Sequence, residues 1–294
     1  MPTTSNDHGR AFECIVVNQL LQDCENLEQT DNCIRCQTRD IEKINELDNN
    51  VKSDMFEGGV IISNWIKNLL SSQYVYKIDR FDDTAAMEGD VTDICIYNEQ
   101  YDICHNFSIK HNHNATKHQR IPALMQALGF EKGSEEDILY RREYENIKNS
   151  ILVDVNNNFP NATEYNEIKS QNPTYIDEKI YKKLCTFYMN SIKSYLDTSV
   201  IQSLFKFLVG NVGFYKCINY SKFVEIMDFT HIQLPTECNI CLNSNSHIRI
   251  AFNNGFVLDM RLHSASSAFA GLSLKFDTQI INIPDDLDVI KLAK

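Results

Sequence analysis

Glycine is scarce in this chain, with only ten in 294 residues. None falls in the spaced clusters that wrap phosphates in P-loop or dinucleotide-binding proteins, which argues against a nucleotide-using metabolic enzyme. No apolar run approaches the roughly 20 residues of a membrane helix. The segment Met1 to Arg10 has no hydrophobic signal region, so a cytoplasmic location is expected. No repeat, low-complexity tail or clear interdomain linker is visible. What remains is an acidic polypeptide of net charge -12 and 43% hydrophobic content. It is long enough to bury a substantial core, as one large domain or as a core with an added lobe.

Acid is missing locally as well as glycine overall. From Ile103 to Phe130 there is no Asp or Glu. The same window holds Lys110, Lys117 and Arg120, with histidines at 105, 111, 113 and 118. Such a stretch on an acidic body is a local positive site suited to a polyanion, although a solvated loop and helix start would look similar. A second acid-poor stretch runs from Asn239 to Phe276, where Asp259 is the one acid beside Arg249, Arg261, His263 and Lys275. Arg and Lys can pair with guanine's major-groove acceptors, and small hydroxyls can hold phosphates. A plain structural strand pair fits the same pattern.

The most informative run is Gly89-Asp90-Val91-Thr92-Asp93-Ile94-Cys95-Ile96, followed by Phe107-Ser108-Ile109-Lys110-His111-Asn112-His113. Period-two apolar spacing predicts two neighbouring strands separated by a polar turn near Asn98-Glu99-Gln100. A carboxylate beside one strand and a lysine on the next is the layout of a metal-dependent nuclease: the acid holds a divalent cation, and the lysine orients or deprotonates the attacking water. Asp93 is preferred to Asp90 because residues three apart on a strand face opposite ways, and Asp93 directly precedes the apolar alternation.

Cysteine is plentiful, with ten residues. Cys33-x-x-Cys36 and Cys238-x-x-Cys241 could together form a four-thiolate zinc site. The pairs lie about 200 residues apart in the sequence, and the scattered others sit within apolar runs, so reduced structural thiols are expected.

Local patterning predicts helices over about 9–28, 39–50 and 58–71, strands near 73–81, 90–97 and 101–110, and a helix over about 115–128. A charged helix from Glu135 to Val155 ends at the Asn156-Asn157-Asn158-Phe159-Pro160-Asn161 loop. A helical stretch from Pro173 to about Leu208 follows, then strands with a hairpin around Asn253-Asn254-Gly255.

These blocks resemble the HaeIII-like type II restriction endonucleases. The resemblance rests on Gly89-Asp90-Val91-x-Asp93 and on the block from Ser108 to Arg120. It extends to Gly9-Arg10-Ala11-Phe12-Glu13, to Arg261-Leu262-His263-Ser264-Ala265-Ser266-Ser267, and to Ser273-Leu274-Lys275-Phe276-Asp277. It implies an α/β PD-(D/E)xK fold, a mixed sheet flanked by helices with an additional helical segment and a C-terminal β-hairpin. It also implies Mg²⁺-dependent cleavage of double-stranded DNA within GGCC to blunt ends, a homodimer on the palindrome, and a methyltransferase protecting host DNA. The organisation expected is one domain over 1–294, with a catalytic core over about 9–130, a helical region over about 131–210 and a DNA-contacting β-rich part over about 211–294.

Carried over residue by residue, the resemblance makes Asp93 the metal carboxylate and Lys110 the catalytic lysine, with Asp93, Ile109 and Glu13 as the metal set. Ser108 stands where many superfamily members carry Asp or Glu, and a hydroxyl is a poor ligand for a hard dication. Either water fills that place or another acid reaches in. Glu13 is the candidate, at the edge of the helical stripe Phe12, Ile15, Val16 and Leu20; an ordinary surface glutamate is the alternative. DNA contacts are expected from His111, Asn112, His113, Lys117, His118, Arg120, Arg261, His263, Ser266, Ser267 and Lys275. Two rivals remain. His111-Asn112-His113 spells the H-N-H nuclease class, but consecutive strand residues alternate sides. A non-catalytic DNA-binding protein would not need Asp93 and Lys110 in register.

Overall fold

The computed structural model describes residues 5–81, 91–112, 115–210, 213–269 and 271–294. Asp90 and His113 lie outside them, as does the side chain of Lys117.

The chain opens with α1 (Ser5–Asp23), whose Phe12, Ile15, Val16 and Leu20 are wholly buried as the helical spacing predicts. After β1 (Leu27–Gln29), α2 (Asp31–Asn45) starts where the Thr30 hydroxyl accepts from the Cys33 N–H. α3 (Asn49–Lys67) starts where Asp48 accepts from Asn50. These caps satisfy orphan first-turn donors and set helix starts that periodicity alone had blurred into one helix over 39–50 and another over 58–71. The strands β2 (Tyr76–Arg80), β3 (Ile94–Asn98) and β4 (Ile103–His111) follow.

The next segment corrects the sequence reading. Residues 115–120 form a strand, β5 (Ala115–Arg120), and helix begins only with a 3-10 turn over Ile121–Ala123 that leads into α4 (Leu124–Ala127). The inward position of this strand is Gln119, a polar residue that hides the period-two signal. Its amide is satisfied across the sheet by the Thr278 hydroxyl at 2.8 Å.

Then come α5 (Glu135–Asn158), capped by Ser134, and α6 (Tyr165–Gln171). A π-helical turn over Ile176–Tyr181 leads into α7 (Lys182–Ser194), and α8 (Thr198–Val209) follows. The chain continues through β6 (Tyr215–Asn219), β7 (Phe223–Asp228), β8 (Cys238–Ser244), β9 (His247–Phe252), β10 (Val257–Ser264), β11 (Leu274–Asn282) and β12 (Val289–Ala293). The expected hairpin is present between β9 and β10, with Gly255 at φ +90° where a side chain would be strained.

The chain divides into two compact units. The first combines residues 1–114, 210–232 and 286–294 around a seven-stranded mixed sheet of order β1-β2-β3-β4-β6-β7-β12. β4 and β6 run parallel, while β2-β3-β4 and β6-β7-β12 are antiparallel. One face packs on α1 and α3, with Trp65 edge-on to both Phe107 and Tyr215. The second unit, residues 115–209 and 233–285, holds an antiparallel five-stranded sheet of order β5-β11-β10-β9-β8. Its inner face joins the helices through contacts such as Tyr188 on Phe276 and Phe205 on Phe252. Among the described residues no helix is long and apolar enough to cross a membrane.

Candidate active site

Asp93 stands just before β3. Its N–H donates to the Phe107 carbonyl at 2.9 Å, and its carbonyl accepts from Phe81, so the residue continues the ladder into β4. That register turns its side chain onto the face bearing Ser108 and Lys110. One carboxylate oxygen, Oδ2, accepts from the Ile109 N–H at 2.6 Å, from Lys110 Nζ at 2.8 Å and from the Ser108 hydroxyl at 3.3 Å. Among the described residues no hydrogen bond engages Oδ1, and Asp93 and Lys110 both remain partly open to solvent. The sequence pairing of Asp93 with Ser108-Ile109-Lys110 is therefore a spatial cluster.

Glu13 is not a surface residue. Its side chain is 13% exposed and pairs with Arg80 at 2.7 Å. Burial raises its pKa to about 7, helped by repulsion from Asp93 and opposed by Arg80 and Lys110. Glu13, whose ionisation Asp93 opposes, and Asp93, with an uncommitted oxygen, form an oxygen donor set for a hard cation. Mg²⁺ is commonly held by one or two carboxylates with the remainder of its shell supplied by water and phosphate, so this pair fits it. Among the described residues no three His, Cys, Asp or Glu side chains converge as metal ligands. Cys33 and Cys36 are buried on α2, Cys238 and Cys241 lie on β8, and all four are free thiols.

Two residues at this site escaped the sequence reading. Arg80 ends β2 with 1% exposure, and besides Glu13 it contacts Asp40 at 3.1 Å and Gln37 Oε1 at 2.7 Å. Burial opposes ionisation of Asp40, but hydrogen bonds from Arg39 and the charge of Arg80 hold its pKa below the usual range. The legible signal was the alternation Tyr76, Ile78, Arg80, which places an arginine on the inward face. Lys216 on β6 is the register partner of Ser108 and is buried. Burial and the nearby Lys110 lower its pKa to about 7, against the pull of Glu225 and Asp93. It interrupts Phe214, Lys216, Ile218 at a position where an apolar residue belongs.

His111, expected at DNA, has a largely buried side chain. It tilts against Phe12, and its Nδ1 lies 3.1 Å from Asn219 Nδ2 and 3.7 Å from Asp54. Parity explains this, because His111 shares the helix-facing side of β4 with Phe107 and Ile109. Burial lowers its pKa. Asn112 is exposed with left-handed φ of 52° and bonds back to His111 Nε2.

The remaining candidates belong to the second unit, and the sheet gathers most of them. His118 and Arg120 on β5, Lys275 on β11, and Arg261 and His263 on β10 all stand on the outward face. They come from two distant sequence segments joined by the β5–β11 pairing. Ser266 and Ser267 are exposed in the β10–β11 connection, where Ser266 bonds to the Ala268 carbonyl and the Ser267 carbonyl accepts from Tyr165.

A protein-family model described as HaeIII restriction endonuclease matches residues 9–231. The chain is also similar to the type II restriction enzyme HaeIII of Haemophilus aegyptius, 23% identical over 319 aligned positions, covering 97% of this chain and 96% of that one. No solved structure matches. The family match covers most of the chain and spans Glu13, Arg80, Asp93, Lys110 and Lys216 together. The chain belongs to the HaeIII restriction endonuclease family, and with that membership it is a type II restriction endonuclease, a site-specific deoxyribonuclease.

Proposed function

We propose that this chain cuts double-stranded DNA at GGCC to blunt ends, using Mg²⁺ at a PD-(D/E)xK-type site. The observation that carries the reading is the convergence of Ser108, Ile109 and Lys110 on one oxygen of Asp93 with Glu13 close enough to repel it. The full-length similarity to a type II restriction enzyme supports DNA as the substrate. In this reading Asp93 and Glu13 hold the metal, with the Ile109 backbone as third ligand, and Glu13 takes the part of the acid absent at Ser108. A bound dication would polarise the attacking water and the scissile phosphate. The Lys110 ammonium, fixed by Asp93, orients that water and balances charge developing on the phosphate. Arg80 keeps the Glu13 carboxylate in place and favours its ionised form. Ser108 contributes a hydrogen bond to Asp93 and little else.

The outward face of the second sheet would meet DNA. Cutting both strands of a palindrome favours a two-fold dimer. A cytoplasmic location and a methyltransferase partner in function complete the reading.

Incubation with plasmid DNA and Mg²⁺, followed by sequencing of the ends, tests the proposal. Blunt ends within GGCC are expected, and cleavage undiminished by chelation would overturn the metal assignment. Glu13→Gln should raise the Mg²⁺ concentration needed for half-maximal cutting. An unchanged requirement would leave water as the filler at Ser108.

A further inference from the structure

Cleavage chemistry does not use the charges on the second sheet, yet they are ordered. Partners across antiparallel strands share a face, so charge can be followed in rows. One row, Arg120–Lys275–His263, contains no acid. The next two rows each hold one aspartate among basic neighbours. Asp277 lies between His118 and Arg261, with His118 Nδ1 at 3.3 Å from its carboxylate. Asp259 lies beside Arg249, whose guanidinium is 3.8 Å away. The Asp259 carboxylate also accepts from Asn243 at 3.3 Å and makes a close contact with His247 Nδ1.

Depth separates the two kinds of charge. The Asp259 side chain is 14% exposed, and that of Arg249 is 41% exposed. Arg261 is exposed as well. The acids therefore sit low against the sheet and the arginine heads stand higher. A carboxylate beneath an arginine restrains a side chain that would otherwise lose rotamer freedom on binding, which is preorganisation. Arg249 Nε is shielded from solvent with no hydrogen-bond partner among the described residues, so the guanidinium's bonding is incomplete. Aspartates on a DNA-facing surface also repel phosphates. They weaken binding to every duplex alike unless the arginines they hold find bases to pair with, and specificity is gained in this way by disfavouring wrong partners. Arg249 and Arg261 stand on the adjacent strands β9 and β10. Strands about 4.8 Å apart fit within a major groove roughly 12 Å wide.

We propose that Arg249 and Arg261 are the base-reading residues of this enzyme, Arg249 held in reading position by Asp259 and Arg261 standing in register beside Asp277, while the acid-free row Arg120–Lys275–His263 grips backbone phosphates. The inference rests on the reading of the chain as a DNA-cutting enzyme. Its partner is duplex DNA, with guanine as the base that a fixed arginine fork matches.

The test is competition binding to a duplex carrying the sequence that wild type cuts and to a scrambled duplex, with calcium in place of magnesium. Arg249→Ala should lose roughly ten- to hundredfold in preference for the cut sequence. Arg249→Lys, which keeps the charge without the fork, should lose discrimination while retaining affinity for the scrambled duplex. Asp259→Asn should bind the scrambled duplex more tightly and discriminate less. Lys275→Ala should weaken both duplexes equally. An Asp259→Asn variant that weakens both duplexes with a lowered melting temperature, or one with unchanged discrimination, would make the aspartate scaffold and overturn the inference. Failure of wild type to cut or prefer any sequence would instead remove the underlying reading, and this inference with it.

Discussion

In the seven-stranded sheet, charge is turned inward: Arg80 and Lys216 are buried, and Glu13 nearly so. In the five-stranded sheet it is turned outward, with Arg120, Arg261 and Lys275 over an inner face of Phe276, Leu262, Ile248 and other apolar residues. A charge taken out of water is costly unless paired, and its interactions then strengthen. The first arrangement perturbs pKa values, as Glu13 and Lys216 show, and suits chemistry. The second leaves charges solvated and available to a polyanion. Both units draw on acid-poor sequence, so composition alone does not separate the two roles; depth does.

The contrast can be broken most severely at the Asp93–Lys110 cluster proposed to cut DNA. Asp93→Asn should abolish cleavage while specific binding persists, and Lys110→Ala should lower the rate by at least a hundredfold, measured at saturating Mg²⁺. Wild-type rates in either variant would show that the inward charges are structural. Removing Arg80 acts on the fold instead. Arg80→Met leaves Glu13 and Asp40 buried without their shared cation, and a loss of about 3–5 kcal/mol in denaturant unfolding is expected. A loss under 1 kcal/mol would mean that these carboxylates are relieved by protonation or water.

Lys216 sharpens the comparison through pH. Its pKa falls from the ordinary 10.5 to about 7 on folding. Between those values the unfolded chain binds the extra proton, so wild-type stability rises with pH across the window. Below pH 7 the folded protein carries a buried ammonium whose desolvation opposes folding. Lys216→Met should therefore be the more stable protein at pH 6, by an amount on the order of a few kcal/mol, with the gap closing towards pH 10. Parallel stability curves for the two proteins would indicate that Lys216 is fully paired.

Outward charges should give smaller, substrate-dependent effects. Arg261→Ala is expected to lose about 1–3 kcal/mol of preference for the cognate site. Equal loss on scrambled DNA would move it from reading to positioning. The least effect is expected for Arg120→Ala, which should weaken all duplexes alike and lower the salt dependence by about one phosphate contact. An unchanged salt slope would take β5 out of the interface.

Several parts of this picture were legible in the residues. The stripe on α1, the strands carrying Asp93 and Lys110, and the β9–β10 hairpin follow from local period and turn chemistry, which one segment contains within itself. Asp93 and Lys110 could be paired in advance because a short turn joins their strands, so register is nearly local. Glu13 could be singled out as a candidate acid from its place on the helix, but its burial was not evident: that depends on Arg80, 67 residues away in sequence. His111 was misplaced because one strand of alternating character does not say which face a helix will cover. Residues 115–120 read as helix because Gln119 is inward and polar, and only Thr278 on a distant strand makes that position tolerable.

The sequence by itself determined the family, the chemistry-bearing residue types and most element identities, because these rest on local order along the chain. Tertiary structure decided which charges are desolvated and which stay in water. It brought Lys216 beside Ser108 through a parallel pairing across about 100 residues, and it assembled a basic face from β5, β10 and β11. Burial and sheet pairing are properties of packed neighbours, and those neighbours meet only when the chain has folded.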